Sequence, residues 1–384
     1  MQQESTLNMS YVNKTSLANK YRPKLLDDVV GQDHVKAYFK NAINKNMLHH
    51  AYLFTGSSGT GKTTIARIIA AAVNNESGQS LTPDMKDGSL SLKIVEGMCN
   101  DIREIDAASN RSIDDIRNLR QEIKYAPFEC RKRFVIIDEA HGLTGQAIEA
   151  ALKMIEEPPS HTIFIFCTTE VDKLKETIIN RCIDFVFKPV SNQMISSHLA
   201  KICSLESQKA DQDALAIIAD HSDGCVRKSL QLLEKIITCS DGHISKDEVK
   251  KYLMIVDEDQ FVEIFNCIIK KDAAGCIEKS LRLANDGITY ENNLKNMARI
   301  IRYILLAKTC PNTNDIIDIN PKTKFYIKQI LSKISIESLI EIVGFIKEAR
   351  EEMSQGIIPA LAFETFVVKS IISYHKNHVK KESK

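Results

Sequence analysis

A glycine-rich run between an apolar stretch and an Ala/Ile-rich stretch has the residue types and spacing that bind a phosphate chain. The run consists of Gly56, Ser57, Ser58, Gly59, Thr60, Gly61, Lys62 and Thr63, and Thr64 follows it. In a G-x-x-x-x-G-K-T loop between a strand and a helix, backbone N–H groups surround the phosphates. The lysine contacts the outer phosphates and the threonine hydroxyl ligates Mg²⁺. We therefore predict a nucleotide site with Lys62 on the phosphates and Thr63 on the metal. A chance Lys-Thr pair after a glycine-rich turn is the alternative.

Two adjacent carboxylates, Asp138 and Glu139, end a second apolar stretch, Phe134 to Ile137. At the end of a strand beside a phosphate loop, one carboxylate can hold Mg²⁺ and the next can polarise the attacking water. We assign these roles to Asp138 and Glu139 in that order, with a polar strand end as the alternative. The letters DEAH also occur in helicases, but we find no other helicase motif in the sequence.

A third apolar stretch, TIFIFC, ends in a threonine pair whose second member is Thr169. Ligands of parallel sheets bind at the carboxyl ends of the strands, which would place Thr169 beside the γ-phosphate. A simple cap is the alternative for a threonine pair at a strand end.

The alternation of short apolar stretches with helical patterns predicts an α/β P-loop fold, with a parallel sheet flanked by helices. Amphipathic helical spacing then dominates residues 190–240, and helical patterns continue from His243. We expect an ATPase domain over residues 1–188, a small helical domain over 189–242, an all-α region over 243–375 and a disordered basic tail over 376–384.

Composition excludes several classes of protein. The formal net charge is +1, so any binding to nucleic acid must come from a local basic face or from backbone groups. The ten cysteines contain no CxxC pair, which argues against a disulfide framework or a zinc ribbon. The sequence has no apolar signal region near its start and no apolar run that approaches 18 residues. We therefore expect a cytoplasmic protein, in a bacterium or in the host of a virus that encodes it.

Seven segments together resemble one family, the gamma/tau subunit of the bacterial DNA polymerase III clamp loader, an AAA+ ATPase. They are KYRPKLLDDVVGQDHV, the phosphate loop, EIDAASNRSIDDIR, YAPFECRKRFVIIDEAH, ALKMIEEPP with TTEVDKLKETIINRC, and GCVRKSLQLLEK. The resemblance implies that residues 189–242 are the lid and that residues 243–375 are an oligomerisation collar. An independent helical partner-binding domain is the alternative for the collar.

The resemblance also implies roles for residues outside the phosphate loop. Thr169 matches sensor 1, Arg227 matches sensor 2 on the lid, and Arg181 matches the arginine finger that enters a neighbouring subunit's ATP site. The chain departs from the family pattern at Asn180, where the family has serine, and at Lys228, where it usually has an acidic residue. The residues that match the adenine-packing segment are Lys20, Tyr21, Arg22, Pro23, Val29 and Val30.

In the family, helix N-termini follow duplex phosphates. Asn110, Arg111 and Ser112 begin such a helix here, so the resemblance implies a DNA contact without base readout. A simple N-cap is the alternative for these three residues.

The polar segment Asn74 to Asn100 stands where the family has a zinc module of four cysteines. Its single cysteine, Cys99, falls at a position that is not a zinc ligand in the family. Because a closed structural site needs four ligands, we expect no zinc and a polar loop with at most one short helix.

The resemblance implies an ATPase motor subunit of a clamp loader, with ATP and Mg²⁺ as its cofactors. Its partners would be other loader subunits, in a pentameric hetero-oligomer or by self-assembly, together with a sliding clamp and primer-template DNA. The sequence ends without the extension of the tau form, so we expect a gamma-like chain. The alternatives are a Holliday-junction motor, a small-subunit-like replication factor C protein, or a structural loader subunit that does not hydrolyse ATP.

Overall fold

The computed structural model describes residues 16–109, 113–240, 242–253, 258–310 and 321–382. The chain divides into two compact units, Met1–Val249 and Lys250–Lys384. Across the described ranges, no helix is both long and apolar enough to cross a bilayer.

A five-stranded parallel sheet lies at the centre of the first unit. The strands are β1 (Ala51–Thr55), β2 (Ile102–Asp106), β3 (Arg133–Asp138), β4 (Thr162–Thr168) and β5 (Ile183–Val186). Their order is β2-β3-β4-β1-β5, so β4 separates the strand before the glycine-rich loop from the strand that carries the paired carboxylates. Because neighbouring strands are parallel, the carboxyl ends of β1, β3 and β4 meet at one edge of the sheet.

The apolar stretches form strands because both faces of the sheet are covered. Phe54 and Ile136 lie in the core on one face, and Leu53 and Val135 lie in the core on the other face. Such two-sided burial requires continuous apolar sequence rather than alternation with polar residues. The edge strands β2 and β5 are less buried: β5 alternates half-buried and exposed residues, and in β2 only Ile102 and Ile105 are buried or half-buried.

Helices of the first unit cover the sheet and form the small helical part that follows β5. They are α1 (Leu17–Lys20), α2 (Asp33–Asn44), α3 (Lys62–Val73), α4 (Leu90–Glu96), α5 (Ile113–Glu122), α6 (Gly145–Glu156), α7 (Glu176–Ile179), α8 (Asn192–Leu205), α9 (Gln212–Asp220), α10 (Val226–Cys239) and α11 (Lys246–Tyr252), which reaches into the second unit. Two short strands, β6 (Lys209–Ala210) and β7 (His243–Ile244), pair in parallel in the small helical part.

The polar segment 74–100 contains one helix, α4, as the sequence suggests. Ser89 caps it by accepting a hydrogen bond from the backbone N–H of Leu92, 3.3 Å away. Ile94 and Val95 are buried in the same core as α3, so the segment is anchored on the sheet. Asn74, where the segment begins, is also buried, and its side chain bonds to the backbone of Arg131 and Lys132.

The second unit is helical in its described residues and has one apolar core, to which Phe265, Ile304 and Phe363 contribute. Its helices after α11 are α12 (Glu258–Ile269), α13 (Ala273–Asn285), α14 (Tyr290–Thr309), α15 (Pro321–Leu331), α16 (Ile336–Ser354) and α17 (Pro359–Glu382). Helix α17 continues to Glu382, into the stretch 376–384 for which the sequence analysis expects a disordered tail. The sequence there contains no glycine or proline to end the helix.

Candidate nucleotide-binding and hydrolysis site

The glycine-rich run forms the turn between β1 and α3. Gly56, Gly59 and Gly61 have φ angles of 136°, 71° and 104°, which side chains with a Cβ rarely adopt. A Cβ at Gly56 would also lie 2.2 Å from the carbonyl oxygen of Phe187, and one at Gly59 would lie 2.3 Å from the Sγ atom of Cys225. The loop therefore needs glycine both for its conformation and for its close contact with two later segments of the chain.

Lys62 is the first residue of α3, and its side chain is folded back over the loop. Its Nζ atom donates hydrogen bonds to the carbonyl oxygens of Gly56 (2.7 Å) and Ser57 (2.9 Å). Burial lowers the pKa of the Lys62 ammonium. The helix N-terminus adds free N–H groups and a partial positive charge at the same place. The loop therefore presents donors that suit an anion such as a phosphate chain.

Thr63 and Asp138 meet across the edge of the sheet. The Oγ1 atom of Thr63 donates to Oδ2 of Asp138 over 2.7 Å, although 75 positions separate the two residues in sequence. A hydroxyl oxygen and a carboxylate are ligand types that Mg²⁺ prefers in phosphate sites. These two residues therefore fit the metal that the family implies.

Glu139 has a left-handed backbone, with φ of 49°, and its N–H donates to Oδ1 of Asp138 over 3.0 Å. Its Oε2 atom accepts a hydrogen bond from the hydroxyl of Thr169 over 2.9 Å. His141 lies on the same side, with Nδ1 3.5 Å from Oε2 of Glu139 and 3.0 Å from the hydroxyl of Thr168. The structure thus brings Glu139 and Thr169 together, and it adds His141, to which the sequence analysis gave no role.

A cavity beside the loop brings together the first helix, the loop and the small helical part. Of the residues predicted to pack on adenine, all but Lys20 line it, and Lys20 instead pairs with Glu206 at 2.6 Å. The loop and α10 contribute predicted residues as well, including Arg227. The lining residues that sequence reasoning missed are Ala18, Asn19, His198, Val226 and Leu230.

The cavity wall carries an excess of positive charge. Burial lowers the pKa of Arg22, and the nearby charges of Arg67 and Arg227 lower it further. Arg67 is paired with Glu104, whereas Arg227 is exposed beside the cavity. Like charges held this close favour an anionic ligand, because the ligand relieves their repulsion.

Two family profiles match the chain in succession. The first, described as "DNA polymerase III, delta subunit", matches residues 31–191. The second, described as "DNA polymerase III subunits gamma and tau domain III", matches residues 244–382.

Curated relatives match over most of the chain. The DNA polymerase III subunit gamma of Buchnera aphidicola subsp. Acyrthosiphon pisum (strain APS) is 33% identical over 300 residues, which cover 78% of this chain and 83% of the relative. The chain belongs to the DNA polymerase III gamma/tau family. The subunit tau of Bacillus subtilis (strain 168) is 33% identical over 369 residues, which cover 96% of this chain but only 65% of that relative. Family membership confirms the resemblance read from the sequence.

Among solved structures, the RuvB Holliday junction branch migration motor of Thermotoga maritima is similar to this gamma/tau chain with a TM-score of 0.47 and 20% identity. The similarity covers 65% of this chain and 79% of the RuvB chain. The parallel five-stranded sheet with flanking helices agrees with the α/β P-loop class predicted from the sequence.

Arg181, the residue matched to the finger of the gamma/tau family, lies just after α7. Its Nη2 atom pairs with Oε1 of Glu156 at 2.6 Å, and its Nη1 atom donates to the carbonyl oxygen of Thr177 over 2.9 Å. The side chain is 39% exposed. These contacts hold the guanidinium group on the surface beside α6 and α7.

The two departures from the gamma/tau pattern have different surroundings. Lys228 pairs with Asp223 at 2.5 Å, so α10 gains an ion pair with the turn before it. Both side chains are largely exposed, and such pairs contribute at most about 1 kcal/mol. Asn180 is exposed, and its backbone N–H caps α7 by bonding to Glu176.

The three residues predicted to contact DNA, Asn110, Arg111 and Ser112, lie outside the described residues. Helix α5 begins immediately after them, at Ile113. The expected absence of zinc also stays a prediction. Cys99 lies next to Cys130 and Asp101, which the sequence analysis did not connect, and together they form the one group of possible metal ligands among the described residues.

Proposed function

We propose that this gamma/tau chain is an ATPase motor subunit that opens a sliding clamp and places it on primer-template DNA. The observation that supports the proposal is the hydrogen bond between Thr63 and Asp138, which brings together at the edge of the sheet the two residues that would hold Mg²⁺. In this family, such a site supports ATP hydrolysis rather than nucleotide binding alone. A non-catalytic loader subunit would not need Lys62, Asp138 and Glu139 together.

ATP binding would use the two parts of the site described above. Tyr21, Pro23 and Val29 offer a partly apolar wall to the adenine, and the loop N–H groups with Lys62 hold the phosphates. Arg227 reaches the same cavity from the lid, so the lid closes over a nucleotide that neutralises its charge. Bound Mg²⁺ would offset the charge on the outer phosphates.

Hydrolysis would use Glu139 as the group that orients and polarises water. The hydrogen bond from Thr169 supports this role, because it joins the predicted γ-phosphate sensor to the predicted water-polarising group. A shift of Thr169 toward a phosphate oxygen would free one carboxylate oxygen of Glu139. The hydroxyl group of Thr169 would then link the presence of the γ-phosphate to the freedom of Glu139 to polarise water.

Arg181 would complete the site of a neighbouring subunit. Its guanidinium group is partly exposed on the surface of the chain, where Glu156 and Thr177 hold it. This position supports a contact with a neighbouring subunit. An arginine supplied from a neighbour neutralises transition-state charge and makes hydrolysis depend on assembly.

Assembly with other loader subunits, or with further copies, would use the second unit. Its last two helices expose apolar side chains at helical spacing, and such rows mark protein contacts more often than isolated residues do. The exposed residues are Ile340 and Val343 on α16 and Leu361, Val368 and Ile372 on α17. Contact with DNA would be made through phosphates, and a clamp ring would be the protein substrate.

A mixing experiment tests the proposal. Lys62→Ala should weaken ATP binding by the isolated chain, because it removes a phosphate contact. Arg181→Ala should leave that binding nearly unchanged but lower the turnover number of the assembled loader, by up to about 10³–10⁵-fold where the finger acts fully. A loader that also contains other ATPase subunits would lose less. Assembled together, the two variants form some sites with an intact loop on one side and an intact arginine on the other.

Partial recovery of ATPase activity in the mixture, above either variant alone, is the expected result. Arg103→Ala, which removes another exposed arginine from the same unit, serves as the control and should leave ATPase activity unchanged. If both variants assemble with clamp and loader subunits from the same genome and the mixture shows no recovery, Arg181 does not act across the interface.

A further inference from the structure

Two cysteines from different segments meet at the amino ends of β2 and β3. Cys99 follows α4, three residues before β2 begins, and Cys130 lies three residues before β3. Their Sγ atoms are 3.6 Å apart, and both residues are buried, with exposures of 6% and 8%. The two thiols therefore form a pair in contact, although 31 positions separate them in sequence.

Asp101 lies beside the pair, but its carboxylate oxygens are already used. Oδ1 accepts from the backbone N–H of Phe128 (3.0 Å), and Oδ2 accepts from those of Glu129 (2.7 Å) and Cys130 (3.0 Å). Arg133 adds an ion pair at 3.3 Å. These donors fill the acceptor positions of a carboxylate, so Asp101 cannot bind a metal without breaking them.

The chemistry of the pair is therefore that of thiols rather than of a metal centre. A closed zinc site takes four ligands, and only Cys99, Asp101 and Cys130 come together among the described residues. With the carboxylate committed to four donors, two ligands remain. Two adjacent thiols with no metal are the starting point for a disulfide.

The two thiols differ in character. The hydrogen bond from Cys130 lowers the pKa of Cys99, and the same bond, together with burial, raises the pKa of Cys130. A polar cavity whose lining includes Gly97, Cys99 and Asn100 gives a small oxidant a route to the first thiol. Cys99 is thus the thiol that reacts first and Cys130 the one that resolves, the usual arrangement of a redox-active pair.

We propose that Cys99 and Cys130 form an intramolecular disulfide in response to peroxides, a modification site separate from the nucleotide site. The Cys99 thiolate attacks hydrogen peroxide and takes a proton, which gives a sulfenic acid and one water. The Cys130 sulfur then attacks the Cys99 sulfur and loses its proton, and the hydroxyl group leaves as a second water. Two thiols and one peroxide thus become one disulfide and two waters. The two sulfur atoms must approach from 3.6 Å to about 2.05 Å.

The new bond would fix the segment before β3 to the segment before β2. The segment before β3 contains Phe128, whose side chain is 94% exposed and whose backbone N–H donates a hydrogen bond to Asp101. Reduction would leave Asp101 and Arg133 as the principal ties between the two segments. The disulfide therefore strengthens an existing contact instead of creating a new arrangement.

The test treats the reduced full-length protein with hydrogen peroxide, blocks free thiols with N-ethylmaleimide and measures the mass. We expect two fewer maleimide labels, an underlying mass about 2 Da lower, and a peptide that joins Cys99 to Cys130. Cys130→Ser should stop at the sulfenic acid, which dimedone traps on Cys99. Cys239→Ser, which removes an exposed cysteine, is the matched control and should form the disulfide like the wild type.

Two results would overturn the proposal. In one, Cys99 and Cys130 stay reduced, and N-ethylmaleimide then alkylates both, at peroxide concentrations that oxidise the exposed Cys239 and Cys310. In the other, the purified protein carries one equivalent of zinc that alkylation of this pair releases. Both measurements use the wild-type chain, so they test the proposal even if the Cys130→Ser variant does not fold.

Discussion

Two carboxylate sites lie at opposite ends of the strands β2 and β3, and they differ in the donors that surround them. At the carboxyl end, Asp138 and Glu139 accept hydrogen bonds from the hydroxyl groups of Thr63 and Thr169, and Asp138 also accepts one from the backbone N–H of Glu139. At the amino end, Asp101 accepts from three backbone N–H groups and pairs with Arg133.

This difference in donors supports the proposed chemical role for the carboxylates at the carboxyl end and a stabilising role for Asp101 at the amino end. A hydroxyl group can rotate and give up its place to a metal ion, a water molecule or a phosphate oxygen. Backbone N–H groups cannot leave without moving the chain, so the charge they hold is committed. Burial separates the two ends in the same way, because Asp101 is buried whereas Asp138 and Glu139 are half-buried.

The largest expected effect comes from the carboxyl end. Glu139→Gln should retain ATP binding but lower the turnover number of the assembled loader by about 10²–10⁴-fold, because an amide cannot polarise water as a carboxylate does. ATP affinity of the isolated chain and steady-state ATPase of the complex are the two measurements. Glu149→Gln, an exposed glutamate on α6, should change neither. If Glu139→Gln hydrolyses ATP at the normal rate, Glu139 is not the group that polarises the attacking water.

At the amino end we expect the opposite outcome. Asp101→Asn should lower the free energy of unfolding by about 1.5–3 kcal/mol, because an amide nitrogen replaces an oxygen that accepts charge-assisted hydrogen bonds. ATP affinity should not change. Urea unfolding and nucleotide titration test the two statements, with the exposed Asp114→Asn as control. If Asp101→Asn has normal stability but impaired ATP binding, Asp101 serves nucleotide binding rather than stability.

The stabilisation that Asp101 provides should also depend on pH. Burial alone would raise the pKa of Asp101, but the N–H donors and Arg133 outweigh it and hold the pKa below the ordinary value of 3.8. A carboxyl group with a pKa lowered by folding stabilises the protein above its unfolded pKa, and this stabilisation is lost as the pH falls through the folded pKa. The stability difference between wild type and Asp101→Asn should therefore be constant above pH 3.8 and shrink below it. A difference that grows in acid would contradict the assignment.

The smallest expected effect is that of a chelator. Because the carboxylate at the amino end is already satisfied, EDTA should leave the melting temperature of the nucleotide-free protein unchanged. Metal analysis should find well under one equivalent of zinc. One tightly bound equivalent would mean that Asp101 exchanges its N–H donors for a metal.

The sequence indicates which residues lie at the carboxyl ends of the strands, because each of them follows a recognisable apolar stretch. The loop, Asp138 and Thr169 each follow an apolar stretch, and the topology of a parallel sheet then brings strand ends to one edge. The single helix α4 in the polar segment agrees with the expectation of at most one short helix there.

The amino end is not foreseen, because nothing in the local pattern links Cys99 to Cys130 or Asp101 to the N–H groups of residues 128–130. These contacts depend on how two irregular segments fold back on each other. The cavity residues on α8 and α10 are missed for a similar reason. His198 and Leu230 belong to ordinary amphipathic helices, and only the packing of those helices places them beside the loop.

The contact between Gly59 and Cys225 has a steric consequence. Cys225 caps α10, the helix that carries Arg227, and its sulfur occupies the space that a side chain at position 59 would need. A Cβ at position 59 would also lie 3.1 Å from the Cβ of Arg227. The first turn of α10, with Arg227, can therefore lie this close to the phosphate loop only because residue 59 has no side chain.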